Sequence, residues 1–285
     1  MTHIDASFKV CALFGFPAHH SVGPSLHNTA FESLKLPLVY VAHDVEPAQL
    51  PRAFAGVRAM GYRGLSITMP HKVAALGLVD EVDEMARAIG CINTVVNQDG
   101  RLFGSNADGL GALAALRRAG ADPTGRRVLM LGSGGAARAL AITIGLQTKP
   151  AELLILGAIE DELLRLARDV TERTGCKVRA EMLTDASLAA GMAKAQILLH
   201  CTPVGMRPES ERTLVPCPLL RPDIMVFDAV YNPRQTLLLR DAVAAGCRVI
   251  EGTEMFLGQA MLQFETWTGK PAPMEIMRQV LDARL

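Results

Sequence analysis

Apolar and polar positions follow a repeating rhythm from the start of the chain. Phe8 to Gly15 is an apolar run ending in glycine, the mark of a buried strand. Ser25 to Leu34 reads as a helix. Leu38 to Val45, with Val39, Tyr40 and Val41, reads as a second strand. Glu46 to Met60 carries Leu50, Phe54, Val57 and Met60 at helical spacing. Leu65 to Thr68 is a third strand. Asp80 to Ile89 is a helix with Val82, Met85 and Ile89 on one face, and Ile92 to Val96 is another strand. Strands alternating with helices predict a mostly parallel, layered α/β sheet.

The rhythm restarts after Asp108. A helix from Gly109 to Ala119 ends at Gly120. Val128 to Leu131 (strand), Ala136 to Ile144 (helix), Leu153 to Leu156 (strand) and Ile159 to Thr174 (helix) follow. Val178 to Met182, Ile197 to His200 and Ile224 to Phe227 read as further strands, the pattern of a doubly wound dinucleotide-binding domain. Two amphipathic helices, Thr253 to Thr268 and Met274 to Leu285, close the chain and are expected to pack on the first domain. The expected organisation is residues 1–108 with 246–285 as a substrate and catalytic domain, and residues 109–245 as a Rossmann-like domain.

The strand ending at Leu131 runs into Gly132, Ser133, Gly134, Gly135, Ala136, Ala137 and Arg138, a G-x-G-x-x-A sequence between strand and helix. Gly132 permits the tight turn, Gly134 lets backbone approach a pyrophosphate, and Ala137 lets helix and strand pack closely. The helix N-terminus supplies unpaired N–H groups and a positive dipole end. A glycine fingerprint alone is a weak signal, but here both flanking elements are right.

Three polar stretches lie upstream: Gly64 to Lys72, Gly90 to Val96, and Gly104 to Gly109. They contain Lys72 and Asp108. A lysine beside an aspartate can move a hydroxyl proton while hydride leaves the same carbon. Read one at a time these residues are ordinary. Lys72 would be a solvated lysine, Asp108 a helix cap, and Asn93 and Asn106 turn residues. His19, His20 and His71 read as structural loop residues, and His27 as a packed helix residue.

Composition removes other classes. Lys plus Arg and Asp plus Glu each number 29, so the chain is neutral and lacks the basic excess of a nucleic-acid binder. At 285 residues and 49% hydrophobic it can fill two cores. No apolar run is long enough for a membrane span, and Met1 to Asp5 lacks the opening of a secretory signal. Six scattered cysteines (Cys11, Cys91, Cys176, Cys201, Cys217, Cys247) predict reduced, mostly buried thiols in a cytoplasmic protein, without metal-ligand spacing.

With these motifs in order, the chain resembles the shikimate dehydrogenase family. The likeness runs from Gly15 to Asn28, through Thr68 to Lys72, Asn93-Thr94 and Asn106 to Asp108. It continues through Thr202 to Met206 and Tyr231 to Thr236, and ends at Gly252 to Gln259. The resemblance implies hydride exchange between a nicotinamide and a ring hydroxyl of shikimate, or of a relative such as quinate, in an interdomain cleft. It implies Lys72 and Asp108 as the catalytic pair, and Ser21, Gly23, Thr68, Asn93, Tyr231 and Gln259 at the substrate. It implies Gly132, Ser133, Gly134, Gly135, Ala136, Thr202, Gly205, Met206 and Gly252 at the cofactor. The partner would be a small ring carboxylate, with no nucleic acid or membrane, and the state a monomer or homodimer.

The chain departs from the family pattern at four places. Gly23 stands where a second hydroxyl residue is usual, which predicts a lost hydrogen bond and room for a bulkier ring. Ser66 replaces an asparagine and Ala107 a threonine. Such losses bear on specificity. After Leu156 come Gly157, Ala158, Ile159, Glu160, Asp161 and Glu162, where NADP-specific members carry an arginine. The cofactor is NAD or NADP, and three acids facing a phosphate favour NAD. No acid stands at the strand end itself, however, and Arg138 on the first helix of this domain is a second candidate to reach a phosphate. A non-catalytic ligand sensor of the same fold is the alternative from another class.

Overall fold

The computed structural model describes residues 4–284. The first three residues of the N-terminal stretch and the predicted end of the last helix at Leu285 lie outside them. The chain forms two compact units: one runs to Ala107 and resumes with Gln259–Arg284, and the other is Asp108–Gly258.

The first unit holds β1 (Lys9–Gly15), α1 (Gly23–Ser33), β2 (Leu38–Asp44), α2 (Leu50–Ala59), β3 (Gly64–Ile67), β4 (Glu81–Val82), α3 (Glu84–Ile89), β5 (Thr94–Gln98) and β6 (Arg101–Ser105). Its sheet order is β2-β1-β3-β5-β6-β4. β1 pairs with β2 and β3 in parallel, whereas β5 runs antiparallel to both β3 and β6. The sheet is therefore mostly parallel, as the alternation predicts, with β5 the antiparallel strand. The cause is a two-residue hairpin turn at Asp99-Gly100, with φ of 52° and 88°, the turn that Asp-Gly favours.

The predicted helix from Asp80 also splits. Glu81 and Val82 pair with β6, and the helix begins only after Asp83, whose carboxylate accepts from Ala86 N at 2.6 Å. It ends at Gly90 in the left-handed conformation, φ 83°. Phe14, Leu50, Phe54, Val57, Leu65, Ile67, Val95 and Leu102 form the core on one face of the sheet. On the C-terminal segment, Trp267 is fully buried and its indole N–H donates to Val95 O at 3.0 Å.

The second unit holds α4 (Asp108–Arg118), β7 (Arg127–Leu131), α5 (Gly135–Gln147), β8 (Glu152–Gly157), α6 (Glu160–Thr174), β9 (Val178–Met182) and α7 (Asp185–Lys194). These are followed by β10 (Ile197–His200), β11 (Met225–Asp228), α8 (Leu237–Ala244) and β12 (Arg248–Ile250). All of its strands are parallel, in the order β12-β11-β10-β7-β8-β9. Counted within the unit this is 3-2-1-4-5-6, a doubly wound order whose switch point lies between β7 and β10. α9 (Gly252–Thr268) begins in this unit and α10 (Met274–Asp282) belongs to the first.

Residues 246–258 sit with the second unit, because β12 extends its sheet beside β11 and Gly258 packs tightly on the Gly111 backbone. A Cβ at Gly258 would stand 2.6 Å from Gly111 O. Among the described residues no helix is long and apolar enough to cross a membrane. All six cysteines are free thiols, but only Cys11, Cys201 and Cys247 are buried, fewer than expected.

Candidate active site

In the first unit the predicted substrate residues gather at one edge of the sheet. Thr68 follows β3, and its N–H donates to Phe14 O at 2.9 Å. Phe16 N donates to Met69 O at 3.1 Å. The turn then brings Lys72 back to the sheet, where its carbonyl accepts from Ile92 N at 3.0 Å. Asn93 is buried between β3 and β6: its carbonyl accepts from Ile67 N, its own N–H donates to Ser105 O, and its side-chain Oδ1 accepts from Ala107 N at 2.8 Å. Ser21 stands at the start of α1, its Oγ accepting from Gly23 N at 3.1 Å. Lys72, Thr68 and Ser21 are half-buried. His71 is buried, with a ring nitrogen 2.7 Å from Val45 O, so it braces the turn that carries Lys72.

A buried polar chain runs behind these residues, and it was not read from the sequence. Ser66 Oγ donates to Gln263 Oε1 at 2.8 Å. Gln263 Nε2 donates to Asn93 O at 3.0 Å and lies 3.3 Å from Thr94 Oγ1, and Thr94 Oγ1 donates to Asn93 Oδ1 at 2.8 Å. Ser66 is thus not a simple loss of polarity. Burial pushes the Tyr40 phenol, which lies near Ser66, well above the usual tyrosine range. The signal available in the sequence was Gln263 itself, a polar residue one helical turn beyond Gln259 in an apolar segment.

Gly23 does not leave the expected room. A Cβ there would lie 3.3 Å from the Tyr40 ring edge and 3.4 Å from its hydroxyl oxygen. The phenol occupies the space. Ala107 keeps one polar contact through its backbone N–H to Asn93.

Asp108 opens α4 and Gln259 lies within α9, at the two points where the chain passes from one unit to the other. Both are half-buried. Tyr231 is exposed, with its ring 5.4 Å from Phe256.

In the second unit the glycine-rich loop leaves β7 as predicted. Gly132 has φ 109°, and a Cβ there would stand 2.7 Å from Cys201 O, so only glycine fits. Gly134 and Gly135 face open space, and α5 starts without a side-chain cap. Ala137 is fully buried against the sheet. Exposed backbone N–H groups at an uncapped helix N-terminus fit a dinucleotide pyrophosphate. The Cys201 to Met206 loop leaves β10 on the other side of the switch point. Gly252 has a packing role: a Cβ would meet Val230 O at 2.5 Å.

At the end of β8, the first turn of α6 carries Glu160, Asp161 and Glu162. Arg138 is held by Asp169 at 2.5 Å, and Arg173 approaches the same carboxylate at 3.7 Å. Among the described residues no cluster of three or more His, Cys, Asp or Glu side chains is arranged to hold a metal.

Comparison with known proteins agrees with this architecture. The profile described as shikimate dehydrogenase substrate binding domain matches residues 13–95, and that described as shikimate 5'-dehydrogenase C-terminal domain matches residues 252–281. A shikimate dehydrogenase (NADP(+)) of Moorella thermoacetica is 41% identical, over 99% of this chain and 95% of the relative. A quinate/shikimate dehydrogenase of Escherichia coli is 38% identical, over 98% of each chain. A crystal structure of shikimate 5-dehydrogenase from Listeria monocytogenes, in complex with shikimate and NAD, superimposes with a TM-score of 0.94 at 34% identity, over 99% of both chains. Full-length identity at this level, on a shared two-unit α/β fold, shows that the chain belongs to the shikimate dehydrogenase family.

Proposed function

We propose that this member of the family exchanges hydride between a nicotinamide dinucleotide and a ring hydroxyl of shikimate or a close relative such as quinate. Lys72 is the proton-transfer group and Asp108 orients the reacting hydroxyl. Ser21, Thr68, Asn93 and Gln259 bind the ring acid, and Tyr231 lies beside it. The bound nicotinamide supplies or accepts the hydride. As the alcohol is oxidised its C–H pair leaves as hydride, the O–H proton passes to the neutral Lys72 amine, which becomes the ammonium, and a C=O forms. Reduction runs the same steps backwards.

The observation that carries this reading is the gathering of Lys72, Thr68 and Asn93 at one edge of the first sheet, Thr68 bonded through its backbone to β1, Asn93 to β3 and β6, and Lys72 to Ile92 just before β5. Neutral donors and acceptors around one ammonium suit a polyhydroxylated carboxylate.

The dinucleotide lies along the Gly132–Ala136 turn, with Thr202, Gly205, Met206 and Gly252 on the nicotinamide side. NAD is favoured over NADP. Three acids open α6, and Arg138 and Arg173 both lean on Asp169, so an added phosphate would meet negative charge there. The free thiols fit a reducing, cytoplasmic compartment.

Steady-state rates for shikimate and quinate, each with NAD and NADP, test all of this. We expect NAD to give the higher kcat/KM, with turnover of at least one ring acid. Turnover confined to NADP would overturn the cofactor assignment. Binding of ring acids without any turnover would favour the sensor reading.

A further inference from the structure

One buried cluster in the second unit takes no part in the chemistry above. His200 ends β10 and Asp228 ends β11, and both are almost wholly excluded from solvent. His200 Nδ1 lies 2.8 Å from Asp228 Oδ1. Val230 N donates to the same oxygen at 3.0 Å, and the Thr236 hydroxyl donates to Oδ2 at 2.6 Å. Three donors converge on Asp228, so the carboxylate acts only as an acceptor and His200 Nδ1 carries the hydrogen. The far ring nitrogen, Nε2, is then an acceptor, and Thr202 Oγ1 lies 2.6 Å from it. The Thr202 hydrogen is committed to His200, while its oxygen accepts from Val204 N at 3.2 Å.

Carboxylate, imidazole and hydroxyl in this order activate a nucleophile in hydrolases. Here the chain stands at the crevice of a doubly wound sheet, where ligands of this architecture bind, and what it grips is a loop. Thr202 begins that loop. Gly205, at its far end, has φ 88°, and a Cβ there would lie 3.6 Å from Thr236 Cβ. Thr236 also accepts from Leu239 N and so caps α8. Both ends of the 202–206 loop therefore rest on groups held by Asp228.

We propose that Asp228, His200 and Thr202 form a positioning relay that fixes the 202–206 loop against the nicotinamide end of the bound dinucleotide. The proposal rests on the reading that this loop borders the nicotinamide. The three act as positioning residues, and none exchanges a proton with substrate.

Three variants of the full chain test it. Thr202→Val keeps the shape and removes the hydroxyl. Thr202→Ser keeps the hydroxyl. His200→Asn keeps a donor toward Asp228 and withdraws the acceptor from Thr202. Two readouts are needed: kcat with its primary deuterium isotope effect, and the emission of bound reduced dinucleotide, which requires no turnover. T202V and H200N are expected to lower kcat about tenfold, raise the isotope effect and shift the bound emission, with dinucleotide Kd changed less than about threefold. T202S is expected to restore both readouts.

Wild-type values for T202V in both readouts would overturn the relay. So would a loss that tracks the melting temperature and is not rescued by T202S. If the wild-type protein transfers no hydride to any ring acid, the functional reading fails by itself. The emission of T202V, H200N and T202S then decides the relay.

Discussion

The two units solve recognition by different means. In the second, the groups aimed at a ligand are mostly backbone: the Gly132 turn, open space at Gly134 and Gly135, and an uncapped helix start. In the first the proposed groups are side chains, with Thr68 and Asn93 bonded to neighbouring strands, Lys72 to Ile92 just before β5, and Ser21 to the start of α1. Backbone recognition suits a cofactor shared by many enzymes, because it survives almost any change of sequence that leaves the turn intact. Side-chain recognition suits a particular substrate, and the expected departures from the family pattern, at Gly23, Ser66 and Ala107, fall in this unit. Change of chemistry is therefore expected from side chains in the first unit, and change of shape from glycines in the second.

The largest effect should follow Lys72→Ala, which removes the proposed proton-transfer group while its backbone bond to Ile92 remains. A fall in kcat of about 10²- to 10⁴-fold with an unchanged melting temperature is expected. Wild-type turnover with every ring acid would remove Lys72 from the mechanism. Gly132→Ala should do the opposite, leaving the chemical groups in place and breaking the turn. Its left-handed backbone and its 2.7 Å approach to Cys201 O predict a loss of roughly 1–3 kcal/mol in stability and weaker dinucleotide binding. Gly134→Ala, which faces open space, is the control and should melt like wild type. If both alanines melt alike, the contrast drawn here is wrong.

A smaller effect is expected from Gln263→Leu. It strands the Ser66 hydroxyl and one acceptor site on Asn93, at about 1–3 kcal/mol. The KM for the ring acid should rise more than kcat falls, because Asn93 loses its support. An unchanged KM would mean that the polar chain only stabilises the fold.

A further test is pH. Burial among Phe31, Tyr40 and Trp267 lowers the His27 pKa to about 3 from the ordinary 6.5. The unfolded chain takes up a proton below about pH 6.5 that the folded chain refuses. Stability from this group is complete above pH 6.5 and fades as pH falls towards 3, by about 1.4 kcal/mol per pH unit. Denaturant midpoints of His27→Phe should depend less on pH over that window than those of wild type. Parallel curves would assign the acid sensitivity elsewhere.

Much of the second unit was legible because its strands are uninterrupted apolar runs between turn residues, as in Val128–Leu131 and Ile197–His200. What escaped there was short or built from small residues. α7 is Ala- and Gly-rich with little amphipathic contrast, and β12 has three residues. In the first unit the Asp99-Gly100 turn was written in the sequence but overlooked, and with it β6 and the antiparallel pairing. The site stretches stood out because polar residues beside strand ends break the apolar rhythm. Their supports did not. Ser66 and Gln263 lie 197 positions apart, and His200 and Asp228 lie 28 apart. Periodicity tells which positions are buried, and it does not tell which distant residue each one meets.

The interrupted path of the chain has a consequence for how the protein is made. The first unit is left unfinished at Ala107 and completed only from Gln259 onward. Synthesis therefore delivers every strand of the second unit before the tail that brings Gln263 and Trp267 to the first. Until that tail emerges, the slot at Gly64, which Trp267 fills so closely that a Cβ would stand 2.2 Å from its ring, is open to water. Domains tend to fold as units while the chain is still growing. The nascent protein thus carries a complete second unit and a first unit whose sheet still lacks the helices of the tail. A ribosome that stops early leaves the ring-acid unit, not the dinucleotide unit, for chaperones and proteases to find.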